Sequence, residues 1–163
     1  MPNAGKVLIL GLGNDVLTDD AVGLLVARAA GCRLAGRPEV VARETTEMGL
    51  ALLDEIVGFD GLVLVDAIQT GRFPAGHVHE FAAEAFASRR ISAAHFLGIA
   101  ETLALGTRLG FVMPRKVWIV AVEVADACTL STRMTAAVEQ AVDTAASRAI
   151  ERADEFTLSL ATA

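Results

Sequence analysis

Acidic and imidazole side chains recur in this sequence where aliphatic runs end and helices begin. Asp20 stands at the predicted start of one helix, Asp66 directly follows the aliphatic run 62–65, and His95 lies in the first turn of another predicted helix. An open α/β sheet gathers its ligands beyond the carboxyl ends of its strands, so these three side chains can meet at one edge. Two carboxylates and an imidazole suit a divalent transition ion such as nickel or zinc, with coordination positions left for water or substrate.

Each of these residues also has a structural interpretation. Asp19 and Asp20 occupy the predicted start of a helix, where the helix dipole favours carboxylates, so one can act as a cap while the other is left for chemistry. Asp19 is the candidate general base, and capping of the helix by Asp19 or Thr18 is the alternative. A helix N-terminus favours a neutral ring at His95, ready to bind a metal or accept a proton, whereas an ordinary core or surface histidine is the alternative.

A buried strand, a tight glycine turn and an acidic helix start follow one another near the beginning of the sequence. The aliphatic run 7–10 is typical of a strand covered on both faces, and the Gly-Leu-Gly sequence after it permits a tight turn before a helix from Ala21 to about Ala30. A dinucleotide site is the rival interpretation, but Val16 occupies the position of the third glycine and the nearby acids would repel a pyrophosphate. A phosphate-binding loop is excluded because no Gly-Lys-Ser/Thr sequence follows the turn.

Strands and helices alternate through the rest of the chain. Aliphatic runs predict further strands, and apolar residues at helical spacing predict the helices between them. The predicted strands are 39–44, 62–65, 77–81 and 116–124, and the predicted helices are 49–57, 81–88, 94–105 and one that follows a cap at Ser131 or Thr132. The pattern predicts a single three-layer α/β domain over residues 1–153, with a twisted, mainly parallel sheet flanked by helices on both faces. Residues 154–163 are expected to form a flexible tail.

Two histidines and a glutamate are further candidates for the same edge. His77 and His79 share one face of a segment that alternates as an edge or antiparallel strand would. They could be metal ligands, but no third donor accompanies them at metal spacing, which favours a solvated face. Glu123 lies near the end of the last strand and could join the edge that holds Asp66.

Composition narrows the classes of function. The formal charge is −6 and the 14 basic residues form no cluster, so nucleic-acid binding has no electrostatic basis. Charged or polar residues interrupt every apolar stretch before the ~18 residues that a membrane span needs. The N-terminus lacks the pattern of an export signal, and Cys32 and Cys128 form no CxxC pair. We therefore expect a cytoplasmic protein whose two cysteines are free thiols, with a disulfide or a metal-binding pair as the alternative.

Four segments of the chain resemble, in order, the motifs of the nickel–iron hydrogenase maturation endopeptidases. They are Gly-Leu-Gly-Asn-Asp-Val-Leu-Thr-Asp-Asp-Ala-Val-Gly at 11–23, Val-Asp-Ala at 65–67, the loop 71–76 with its proline, and Ser-Ala-Ala-His-Phe-Leu-Gly at 92–98. The resemblance covers nearly the whole chain and implies a twisted sheet flanked by helices, in agreement with the pattern of elements. Phe96 stands where the family often has glutamine, and Asp20 stands where many relatives have glutamate.

By this resemblance, Asp20, Asp66 and His95 bind a metal. The protein would remove a short C-terminal extension from the precursor of a hydrogenase large subunit after nickel insertion, with the nickel supplied by the precursor and no nucleotide involved. Under one hypothesis the metal polarises the scissile carbonyl or activates a water. Under the other it only positions the precursor, and Asp19 acts as general base. A non-catalytic chaperone that binds the metal or the precursor is the alternative function.

Overall fold

A computed structural model describes residues 3–83 and 94–162 of the chain, with side chains for 3–83 and 98–162. The strands are β1 (Val7–Leu12), β2 (Val40–Thr45), β3 (Gly61–Ile68), β4 (Val78–Ala82) and β5 (Lys116–Glu123). The helices are α1 (Val22–Arg33), α2 (Leu52–Ile56), α3 (Ala94–Arg108) and α4 (Ala136–Ala161). The strand order is β2-β1-β3-β5-β4, and all neighbours are parallel except β4, which is antiparallel to β5. These elements confirm the predicted α/β domain with a mainly parallel sheet.

Both faces of the sheet are buried, which explains the unbroken aliphatic runs of its central strands. Alternate residues of β1 enter opposite cores. Val7 and Ile9 pack with α1 and α4 on one face, whereas Leu8 and Leu10 pack with residues of α2 and α3 on the other. The order helix, sheet, helix gives the three predicted layers.

The apolar segment predicted as one helix over 49–57 is divided in the structure. A 3-10 turn at Gly49–Ala51 precedes α2, and Gly49 has a φ of 61°, which favours glycine and interrupts regular helix. Leu52 and Ile56 are buried as expected, but Leu50 is 64% exposed. The predicted helix over 81–88 also differs, because β4 extends to Ala82 and residues 84–88 lie outside the described part of the chain.

The last helix is longer than the sequence pattern predicts. Residues 154–161 continue α4, in place of the flexible tail expected from residue 154. Ala153 and Phe156 pack into the core beneath this helix, so the stripe of apolar residues at helical spacing extends past the predicted domain boundary at 153.

No helix in the described ranges is long and apolar enough to cross a membrane. Cys32 and Cys128 are exposed free thiols, which confirms that part of the cysteine prediction.

Candidate active site

The start of α1 lies directly against the carboxyl ends of β1 and β3. A Cβ atom on Gly23 would collide with the backbone carbonyl oxygens of Leu12 and Val65, and a Cβ atom on Gly11 would collide with the carbonyl of Gly23. Glycine is the residue that permits a helix to approach two strands so closely. The loop before α1 is thereby fixed at the end of the sheet where Asp66 lies.

Two of the predicted site acids are buried at this end of the sheet. Asp66, one residue beyond Val65 on β3, has no exposed surface, and Asp20, three residues before Gly23, is 8% exposed. The Oδ1 atom of Asp66 accepts a hydrogen bond from the backbone N–H of Ala67 at 2.7 Å, which holds the carboxylate in one orientation. Carboxylates are costly to bury, so two of them at strand and helix ends are typical of a catalytic or cation-binding site.

The third predicted residue, His95, falls in the first turn of α3, and its side chain is outside the part of the chain that is described. Within the described residues, no three His, Cys, Asp or Glu side chains are grouped to hold a metal ion. The structure therefore brings Asp20 and Asp66 to one end of the sheet, and the complete set of three ligands stays a prediction.

Asp19 binds a residue far along the chain instead of capping α1. Its Oδ1 atom accepts the N–H of Thr135 at 2.7 Å, and its Oδ2 atom accepts the hydroxyl of the same threonine at 2.9 Å. The hydroxyl of Thr18 donates to the carbonyl of Thr129 at 2.8 Å, and α1 begins after Ala21 with no side-chain cap. The predicted cap by Thr18 or Asp19 is wrong, because both side chains bond to the segment that precedes α4.

Contacts between the loop before α1 and the segment before α4 also explain where α4 begins. The sequence predicts a cap at Ser131 or Thr132, but the helix starts after Thr135, whose backbone is extended. Residues ahead of α4 are held by the opening loop, since the N–H of Ser131 donates to the carbonyl of Val16 at 3.1 Å. Asp19 and Thr135 are 116 residues apart, and no local pattern indicates that they meet.

Glu123, at the end of β5, holds the loop that follows β3. Its carboxylate is 1% exposed and accepts the N–H and hydroxyl of Thr70 at 2.7 and 2.9 Å, and the N–H of Gly71 at 2.9 Å. Its Oε2 atom lies 2.9 Å from Nε2 of His79. Burial alone raises the pKa of Glu123, but the hydrogen bonds from His79, Thr70 and Gly71 outweigh burial and hold the pKa below its ordinary value.

The two histidines near β4 have different environments. His77 is exposed and stacks on Phe73, with ring centroids 4.5 Å apart. The side chain of His79 is only 15% exposed and contacts both Phe73 and Glu123. The predicted solvated face is therefore right for His77 and wrong for His79, because the buried carboxylate of Glu123 supplies a partner that the local sequence does not reveal.

Comparisons with known proteins agree with this architecture. A family model described as "Hydrogenase maturation protease" matches residues 43–152, more than half of the chain and a range that includes Asp66 and His95. The hydrogenase 2 maturation protease of Escherichia coli (strain K12) is 30% identical over 120 residues, which is 72% of each chain.

Solved structures extend the similarity to nearly the full length. The hydrogenase maturating endopeptidase HybD from E. coli has a TM-score of 0.73 and 25% identity, covering 92% of this chain and 93% of that one. The NiFe hydrogenase maturation protease HybD from Thermococcus kodakarensis has a TM-score of 0.67 and 27% identity, covering 91% and 99% of the two chains. The chain therefore belongs to the hydrogenase maturation proteases, and is an endopeptidase of hydrogenase maturation.

Proposed function

We propose that this protein removes a C-terminal extension from the large-subunit precursor of a nickel–iron hydrogenase after nickel has been inserted. The observation that carries the proposal is the burial of Asp20 and Asp66 at one end of the sheet, within a fold shared with the hydrogenase maturation proteases. The precursor is the substrate, and the cytoplasm is the proposed place of the reaction.

Nickel enters this proposal as part of the substrate. Asp20 and Asp66 supply carboxylate oxygens and His95 supplies an imidazole, a donor set that suits a divalent transition ion with free coordination positions. Three such ligands bind most favourably where a partner presents a metal whose remaining positions are filled by its own ligands. The protease would thereby distinguish a loaded precursor from an empty one, and no resident nickel or nucleotide is required.

The two mechanistic hypotheses give Asp19 different roles. A Lewis-acid role for the nickel of the precursor leaves Asp19 where it is, bound to Thr135. A general-base role would require a fully buried carboxylate, already oriented by two hydrogen bonds to that threonine, to reach a water or the substrate. We therefore favour the first hypothesis and assign Asp19 to holding the two loops together.

The proposal is tested by mixing the purified protein with the nickel-loaded precursor and weighing the products by intact mass spectrometry. Loss of a C-terminal peptide is the expected result. A non-catalytic chaperone would hold the precursor without shortening it, so a stable complex at unchanged precursor mass would contradict the proposed activity and favour that alternative.

A further inference from the structure

The outer side of β2 is a strand edge whose peptide groups have no partner in the sheet. β2 stands at the end of the strand order and pairs only with β1. The N–H of Val7 donates to the carbonyl of Glu39 at 3.0 Å, and the parallel register then turns the peptide groups of Val41 and Arg43 toward β1. The N–H and C=O groups of Ala42 and Glu44 point away from the sheet, and among the described residues none has a hydrogen-bond partner.

A groove of about 530 Å³ follows this edge. Its lining includes Ala42 and Glu44, whose side chains face α1, and Arg43, whose side chain faces α2. Two ion pairs flank it, with Arg28 of α1 2.8 Å from Glu44 and Arg43 3.1 Å from Glu55 of α2. Because residues from both faces of β2 contribute, the groove lies on the strand edge itself, between the two helical layers.

A second groove of about 360 Å³ continues from the first toward the candidate active site. The two share Arg28 and Glu44, and the second reaches Asp15 in the loop that leads to Asp20. Asp15, Glu44 and Glu47 contribute three carboxylates here against the single guanidinium of Arg28. The end of the groove near the active site therefore favours a basic side chain.

We infer that the outer edge of β2 binds an extended segment of the precursor as an added strand, with a basic side chain of that segment beside Asp15 and Glu47. The inference rests on the proposed function, because it takes the precursor as the ligand. An unpaired strand edge provides main-chain hydrogen bonds to an extended peptide of any sequence, and pockets beside it provide the selectivity. The six residues of β2 offer roughly 20 Å of such an edge.

Amide hydrogen exchange with the nickel-loaded precursor tests the inference directly. In the free protein the amides of Ala42 and Glu44 exchange quickly, and the precursor is expected to slow both by at least about tenfold. The amides of Val41 and Arg43, bonded to β1, are slow in both states and serve as the internal control.

Precursor mass is measured in the same mixtures, so that the two proposals can fail separately. Shortening of the precursor with unchanged exchange at Ala42 and Glu44 would overturn the inference and leave the protease function standing. Protection at both amides without shortening would support the inference and contradict the protease function. If the precursor neither protects these amides nor is shortened, the inference and the protease function are both contradicted.

Proline substitution supplies a second test. Ala42→Pro removes an N–H that points away from β1 and leaves the ladder to β1 intact, so the KM for the precursor should rise at least about tenfold while kcat changes little. The matched control is Ala82→Pro on β4, at the opposite edge of the sheet. The carbonyl of His77 accepts the N–H of Glu123, and the antiparallel register turns the N–H of Ala82 outward as well. A folded Ala42→Pro protein with the KM of the unsubstituted protein would overturn the inference.

The combined Asp15→Asn and Glu47→Gln substitutions test the acidic end of the groove without touching the backbone. Both side chains are exposed, so the fold should be unaffected. The expected result is a raised KM with a weaker dependence on salt. An unchanged KM and salt dependence would contradict the proposed basic side chain of the precursor.

Discussion

Both carboxylate oxygens of Asp19 accept hydrogen bonds from Thr135, the residue that precedes α4. The contact ties the loop that carries Asp20 to the start of α4, the longest helix in the described ranges, which packs along α1 and four strands. Asp19 itself has no exposed surface. The two neighbouring acids therefore have different roles. Asp19 fixes the loop, and Asp20 lies at the end of the sheet with Asp66.

Substitution of Asp19 by asparagine should lower stability but preserve processing. An asparagine can accept the N–H of Thr135 and donate to its hydroxyl, so the unfolding free energy should fall by only about 1 kcal/mol through loss of the charged acceptor. The measurements are urea unfolding and the rate of precursor shortening.

Thr135→Val is the matched control for that experiment. It removes the hydroxyl partner of Asp19 with little change in shape, and should cost about 1 kcal/mol in the same assay. If Asp19→Asn slows precursor shortening about a hundredfold while Thr135→Val leaves the rate unchanged, Asp19 is the general base.

Asp20→Asn, Asp66→Asn and His95→Ala should each reduce processing of the nickel-loaded precursor by at least about a hundredfold, equivalent to roughly 3 kcal/mol of transition-state stabilisation. The physical reason is loss of one of the three proposed ligands of the precursor's nickel. Intact mass spectrometry of timed samples gives the rates, and circular dichroism verifies that each variant is folded. Normal shortening by a folded His95→Ala protein would be incompatible with a site shared by the three residues.

Gly23→Ala should prevent stable folding. The added Cβ would meet the carbonyl oxygens of Leu12 and Val65, which belong to backbone and cannot move aside, so we expect a loss of about 3 kcal/mol or more. Gly31→Ala in the same helix is the control, because its nearest neighbour would be the Cβ of Ala42 at 3.4 Å. That change should be neutral or raise stability by up to about 1 kcal/mol through helix propensity. Equal stability of the two variants would contradict the close packing described for α1.

Glu123→Gln should lower stability at neutral pH by about 1 to 3 kcal/mol, because a buried charged acceptor of several hydrogen bonds is lost. The folded-state pKa of Glu123 lies below its ordinary value of 4.5, so its contribution is complete above that value and is lost as pH falls through the folded-state pKa. The stability difference between the two proteins should therefore shrink on acidification. Unfolding curves from pH 7 downward measure it, with the exposed Glu101→Gln as a charge control. A difference that stays constant to low pH would show that Glu123 is not the acceptor described.

Much of the fold could be predicted because its strands are buried on both faces. The unbroken aliphatic runs at 7–10 and 62–65 and the almost wholly apolar segment 116–124 need no long-range information to be recognised as central strands. The ends of the strands and helices were less predictable, since they depend on contacts with residues far along the chain. β3 continues past Asp66 to Ile68 because β5 pairs with it as far as Glu123.

The candidate site was predictable only in part, for the same reason. Asp20 and Asp66 follow a strand–turn–helix pattern and a strand end, and both features are local. The partners of Asp19 and Glu123 are not local, because Thr135 is 116 residues from the first and Thr70 is 53 residues from the second. The sequence contains several threonines that could donate hydrogen bonds to these carboxylates. The packing of α4 places Thr135 beside Asp19, and the loop after β3 places Thr70 beside Glu123.

The comparison of nickel-loaded with nickel-free precursor tests the central claim most directly. Both forms are incubated with the protein under identical conditions, and the mass of the large subunit is followed with time. The account predicts that the loaded form alone loses a C-terminal peptide, because Asp20, Asp66 and His95 require the nickel as their ligand. Equal shortening of both forms would contradict recognition of nickel by this site.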